Sequence, residues 1–381
     1  MDIFDKERAF YPAYKDRAYV NHATTGLIPT YSRDAMVEFL NKRTDPGMDM
    51  DEFIATWGYC DAMRPDLGAL FGCGADEIVF GASHAWLFNI FMNGIDLKPG
   101  DNIITTELSH SSVNYTCMHV RSRGAEPRFV KPTEAATRPE DIFALADAKT
   151  RAICLCLVEN KYGFRHDIKA VSDFCREKGI LLAVDATQAA GVLDIKVKEM
   201  GIDFMTTSCY KWMQGLYGVG FAYISRDLVP RLKHVDMGWT GSKDRHHLNS
   251  MVLNLSDGAN RFECGGINFA GMIGVSKTIR RYLELGADAV EARVMGLVNT
   301  FYEKASALRT IRIYGNFKEE NRSGIITLAI PESLGMNNET LAHNGIVAHC
   351  SSPGLIRLGF HYHNNNEDVD RVLAYLTAID S

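Results

Sequence analysis

Short apolar runs alternate along the chain with longer stretches in which apolar residues return at helical spacing. Glu77–Phe80, Asn102–Thr106, Ala152–Val158, Ile180–Val184, Phe204–Ser208 and Phe221–Ile224 read as strands. Helical patterns cover about Thr30 to Leu70, broken near Asp45-Pro46-Gly47, and Ile168 to Lys178, stopped by Gly179. Several strands are apolar throughout, as in sheets buried on both faces. Alternating strands and helices predict an α/β fold with a mainly parallel, doubly covered sheet.

Beyond Asp257-Gly258-Ala259-Asn260 the texture changes. Long helical patterns run from Gly271 to Leu285 and from Ala287 to Leu308. A strand is expected at Gly324–Ile330, and a last helix from about Glu367 follows the capping residues Asn364-Asn365-Asn366. The expected organisation is an N-terminal arm (1–18), a large domain (19–255) and a smaller α+β domain (256–381).

Composition narrows the partners. The 381 residues are 46% hydrophobic and 23% charged, with a net charge of −6 and no basic block, which argues against nucleic acid or an anionic membrane surface. The start of the chain lacks the features of a signal peptide, and no apolar run reaches membrane-spanning length. Nine cysteines scattered through apolar segments suit a reducing compartment, so a cytoplasmic protein with a small-molecule substrate is expected. Cys154 and Cys156 occupy alternate strand positions, which accounts for them without a metal.

The chemistry concentrates between Val184 and Trp212. Asp185 stands at the carboxyl end of an interior strand, and Lys211 lies just beyond the end of Phe204–Ser208, at the sheet edge where open α/β folds bind ligands. Tyr210 and Trp212 flank Lys211 with apolar surface, which lowers an amine's pKa and makes it a nucleophile able to form a Schiff base with an aldehyde cofactor. Gly81-Ala82-Ser83-His84 links a strand to a helix, where free N–H groups can hold a phosphate. Gly215–Gly220 runs into a strand and is no dinucleotide fingerprint. His246-His247 and His361-Tyr362-His363 lack a spaced ligand set, so no metal is expected.

The order of Asn21-His22-Ala23, Ala82-Ser83-His84, His110, Asn160, Asp185-Ala186-Thr187-Gln188, Ser208-Cys209-Tyr210-Lys211, Arg261-Phe262-Glu263 and Arg357 resembles the class V aminotransferase family of pyridoxal-phosphate enzymes. That family includes cysteine desulfurases, selenocysteine lyases, cystine C–S lyases and isopenicillin N epimerase-like proteins. The resemblance implies a fold-type I architecture with a seven-stranded sheet, pyridoxal 5'-phosphate as cofactor, and a homodimer with its site near the subunit interface. It implies Lys211 as the Schiff-base lysine, Asp185 as partner of the ring nitrogen and His110 on the ring face. Gln188 and Asn160 would reach the phenolic oxygen and substrate, while Ser83, His84, Ser208 and Tyr210 would surround the phosphate. Asn21, His22, Ala23, Asn160 and Arg357 would line the substrate site, with Arg357 on the carboxylate.

Tyr210 stands where relatives generally carry His. Gly266 takes the place of a Thr that reaches the partner's phosphate. Cys350 precedes Arg357 by seven residues and reads either as a nucleophile or as a fixed strand-end thiol. The implied reaction is β-elimination releasing sulfur from a cysteine derivative, by a lyase or a desulfurase that hands sulfur to an acceptor protein. Transamination or epimerisation of an amino acid, and a non-catalytic cofactor-binding regulator, are the alternatives.

Overall fold

The computed structural model describes residues 2–245 and 251–380, so His246, His247 and Leu248 lie outside the described residues. Its centre is a seven-stranded sheet. From one edge the strands run Ile78–Gly81, Gly220–Ile224, Phe204–Ser208, Leu181–Asp185, Thr150–Cys156, Asn102–Thr106 and Glu126–Val130. All are parallel except Gly220–Ile224, which runs against both its neighbours. Family-independent geometry therefore gives the expected α/β class.

Alternation along the strands separates two cores. Ile153, Leu155, Leu182, Val184 and Met205 pack on one face; Ala152, Cys154, Ala183, Phe204 and Ala222 pack on the other. Cys154 and Cys156 thus point to the same side, as their spacing requires. The connecting helices carry ordinary punctuation. Asp167 accepts a hydrogen bond from Ala170 N at the start of Ile168–Lys178, and Gly179, at φ +68°, ends it in the left-handed region.

A second sheet, antiparallel and four-stranded, orders His349–Ser352, Leu355–Gly359, Ile325–Ala329 and Arg312–Ile313. Helices Ala287–Ala305 and Asn366–Ile379 lie against each other beside it. Phe269–Leu285 packs on Thr30–Thr44 and Met50–Phe71. The N-terminal residues are folded in: Ile3–Arg8 is helical, Tyr11 and Tyr14 are buried, and Ala18–Tyr19 pairs in parallel with Ile346–Val347.

One buried ion pair ties the early helix to the sheet. Arg64 donates to Glu263 Oε1 and Oε2 at 2.8 and 2.9 Å and to the Ile78 carbonyl at 2.7 Å, while Glu263 Oε1 also accepts from Phe80 N. Removing one member leaves the other charge in an apolar setting. Arg64→Met is expected to lower stability by about 3–5 kcal/mol, read as a fall in the urea midpoint.

Candidate active site

The carboxyl ends of the parallel strands converge on a cavity of about 150 Å³. Its lining includes Ser83, His84, His110, Asn160, Asp185, Gln188, Ser208, Tyr210 and Lys211, all picked out in the sequence from five separate strand ends. Such convergence is what a parallel sheet provides, since every strand delivers its following loop to the same edge.

Strand register sets the floor of the cavity. Cys156, Asp185 and Thr206 are neighbours across three adjacent strands. Asp185 is 5% exposed; its Oδ1 accepts from Thr187 N at 2.9 Å, and the Cys156 thiol lies 3.8 Å from Oδ2. His84 Nδ1 is 3.3 Å from Asp185 Oδ1 and 2.6 Å from Thr206 Oγ1. The backbone N–H of His84 donates to Ser208 Oγ at 2.8 Å, and Ser83 caps the helix His84–Gly94 by accepting from Trp86 N. Hydroxyls and an open helix N-terminus therefore meet at one end of the cavity, suited to an anion such as phosphate.

Lys211 is 7% exposed, and burial pulls its pKa down to about 8; Asp185 opposes this and Arg357 adds to it. Its ammonium nitrogen lies 5.5 Å from the centre of the Tyr210 ring, which stacks on Tyr217 with centroids 4.3 Å apart. His110 caps Ser111–His119, its Nδ1 2.7 Å from Ser112 Oγ, and burial lowers its pKa, with Lys211 adding to the effect. Both groups are held toward their neutral forms.

The loop carrying Lys211 is fixed from several sides. Gln188 accepts from Trp212 Nε1 at 2.7 Å and donates to the Ala23 carbonyl at 3.0 Å. The Trp212 carbonyl accepts from Tyr282 Oη and from His361 Nε2, the latter at 2.9 Å. Gln214 sits at φ +58°, bonded to Tyr11. Gly26 donates to the Tyr210 carbonyl, and a Cβ on it would come 1.9 Å from the Lys211 carbonyl oxygen.

The remaining expected residues divide. Arg357 donates to the Asn160 carbonyl and to Thr24 Oγ1, each at 2.6 Å, and its buried Nε has no protein partner. Ala23 adjoins the cavity through Gln188. Asn21 forms a bridge with Gly359. His22 joins a buried cluster, its Nε2 3.1 Å from Tyr14 Oη, with His361 and His363 beside it, and is not in the cavity lining. Gly266, at φ +41°, lines a neighbouring cavity with Gly81 and Ala82. Cys350 lies on the paired strand His349–Ser352 opposite Ile356, packed against the core, while Arg357 faces His349. Cys350 and Arg357 therefore project to opposite faces of that sheet. Cys156, Thr187, Ser112 and Thr24 were not singled out from the sequence; for Cys156 the signal was its alternation with Cys154, whose partner across the sheet only register reveals.

A family model described as Aminotransferase class-V matches residues 18–372. The chain belongs to the class V aminotransferase family. Its curated relatives in that family include a probable cysteine desulfurase of Methanothermobacter thermautotrophicus, 26% identical, with 94% of this chain and 93% of that protein aligned. Another, from Pyrococcus abyssi, is 25% identical over 99% of this chain and 97% of its own. Among solved structures, the apo cysteine desulfurase from Thermococcus onnurineus gives a TM-score of 0.85 at 23% identity, covering 99% of this chain and 98% of that one. A cystine C–S lyase in complex with its reaction product, cysteine persulfide, gives 0.87 at 18% identity, covering 96% and 99%. The class V fold is thus shared from end to end, and its fold-type I architecture is the one expected.

Two outcomes follow for this class V site. Because Lys211 titrates near 8, its condensation with a small aldehyde should speed up as pH rises to about 8 and level off above, read by mass spectrometry after borohydride trapping. Gly26→Ala should displace the Lys211 loop, reducing that trapping by about tenfold or more while far-ultraviolet circular dichroism stays near wild type.

Proposed function

We propose that this protein is a pyridoxal-phosphate-dependent C–S lyase that eliminates the sulfur substituent of a cysteine derivative. The cofactor fits on the donor set alone: a buried amine of lowered pKa, a buried carboxylate whose Oδ2 meets the weakly donating Cys156 thiol at 3.8 Å and can accept from a protonated ring nitrogen, and serine hydroxyls at a helix N-terminus for the phosphate. The names of the relatives and structural neighbours support sulfur chemistry on an amino acid. The observation that carries the lyase reading is Cys350, held in a paired strand and facing away from Arg357.

When bound, pyridoxal phosphate supplies an electrophilic aldehyde and a protonated ring that accepts the electron pair left at the substrate's Cα. Asp185 holds the ring nitrogen's proton, and His110 covers the ring. Arg357, with its unpaired Nε, receives the substrate carboxylate between Asn160 and Thr24. Lys211 Nζ, neutral above about pH 8, would be the base that takes the substrate's Cα proton. The sulfur substituent would leave the β-carbon with the electron pair of its C–S bond, as a thiol or persulfide, and the three-carbon remainder would take up one water to give pyruvate and ammonia.

A desulfurase reading has its own support in the relatives' names, and would transfer sulfur to an acceptor protein through Cys350. A homodimer is part of the proposal, since Val37, Leu40, Phe53, Ile54 and Tyr59 on the early helices and Tyr217 near the cavity are exposed. So is a reducing, cytoplasmic setting, in keeping with nine unpaired cysteines. Among the described residues, no helix is long and apolar enough to cross a membrane.

Purified protein loaded with pyridoxal phosphate should release pyruvate and reduced sulfur from cystine or cysteine, measured by lactate dehydrogenase coupling and methylene blue. Cys350→Ala should keep at least about half of wild-type turnover; loss of turnover together with a trapped persulfide on Cys350 would establish the desulfurase instead. Arg357→Ala should raise KM by about tenfold or more, through loss of a charge-assisted carboxylate bond.

A further inference from the structure

The reaction proposed above employs Asp185 and leaves its neighbour His84 without a task beyond a place at the cavity wall. His84 is 5% exposed and clamped twice to the strand Phe204–Ser208, by its backbone N–H on Ser208 Oγ and its ring on Thr206 Oγ1. The same Nδ1 lies 3.3 Å from Asp185 Oδ1, and Nε2 is buried with no protein partner. Of the two neutral tautomers, only the one protonated at Nδ1 offers the carboxylate a donor. The other would set a lone pair against Oδ1 and bury an unsatisfied N–H at Nε2.

We infer that His84 is a positioning residue for Asp185: its Nδ1–H, shared between Thr206 Oγ1 and Asp185 Oδ1, fixes the orientation of that carboxylate and turns Oδ2 toward the ring nitrogen of pyridoxal phosphate. The inference rests on the cofactor reading and adds the group that orients Asp185 for its work. Thr187 N–H reinforces the same oxygen. Burial lowers the pKa of His84, with His110 and Lys211 adding to the effect against Asp185, so the ring stays neutral and acts as a dipole rather than a counter-charge. The other titratable groups acting on Asp185 are Cys156 and Glu159 from the strand Thr150–Cys156 and the turn after it, His110 from its helix start, and Tyr210 and Lys211 from the loop after Ser208.

Without the His84 donor, Asp185 Oδ1 keeps only the Thr187 N–H, and the carboxylate is free to turn away from the ring nitrogen, which then holds its proton less firmly. A less positive ring withdraws fewer electrons, so the Lys211 nitrogen joined to it keeps its own proton to higher pH. The test is a pH titration of the visible absorption of the pyridoxal-phosphate-loaded protein, for wild type, His84→Phe, His84→Asn and Thr206→Val. In His84→Phe the midpoint should rise by about one pH unit and kcat should fall about tenfold with KM within about twofold. His84→Asn, whose amide N–H replaces Nδ1–H, should bring the midpoint back to within about 0.3 units. Thr206→Val, which removes the other anchor of the ring, should move it in the same direction by less, and supplies the reading if His84→Phe does not fold. An unmoved midpoint in coloured His84→Phe, or no recovery in His84→Asn, overturns the role of His84 alone. A wild-type protein that takes up no cofactor overturns the cofactor reading, and this inference with it.

Discussion

The structure depends on keeping an amine and a carboxylate together out of water. Removing Lys211 from solvent disfavours its charged form, while Asp185 across the cavity pulls the other way, and burial prevails. The balance requires walls on every side. Tyr210, Val158 and Ala85 supply the apolar part of those walls, and the sheet supplies their rigidity. A more exposed lysine would stay protonated and be a poor nucleophile.

What fixes the lysine is therefore as informative as the lysine itself. Its loop is gripped by Gln188 and Gln214, by Gly26 from the N-terminal segment, and by Tyr282 and His361 from two later parts of the chain. These residues are far apart in sequence and bury polar atoms that pair with one another. A buried network of this kind is stable only when nearly complete, so each member specifies the position of the others. Precision at one nitrogen is distributed over most of the molecule.

The parallel-sheet strands and their helices were legible because fully buried strands are apolar without interruption and because Gly179 and Pro46-Gly47 mark stops. The edge strand Glu126–Val130 was missed: it reads Glu-Pro-Arg-Phe-Val, and only Pro127 and Val130 are buried. Strand-end residues such as Asp185, Ser208 and Lys211 could be placed in one site because a parallel sheet brings its carboxyl ends together by construction. The grouping of His84 with Asp185 and Thr206 could not, because it depends on register between strands and on a helix start folded over them. Cys350 was ambiguous for a related reason. Its distance from Arg357 along the chain is fixed, but the face it occupies depends on a hairpin whose pairing the local sequence does not encode.

The parallel pairing of Ala18–Tyr19 with Ile346–Val347 joins residues from the two ends of the chain. On a ribosome the first of these emerges long before the second exists. Val20, buried in the finished fold, donates its N–H to the Val347 carbonyl at 2.9 Å, so its final setting cannot form before residue 347 has been made. A chain stopped short of residue 346 therefore cannot close this seam, and the strand Ala18–Tyr19 is left with an unpaired edge.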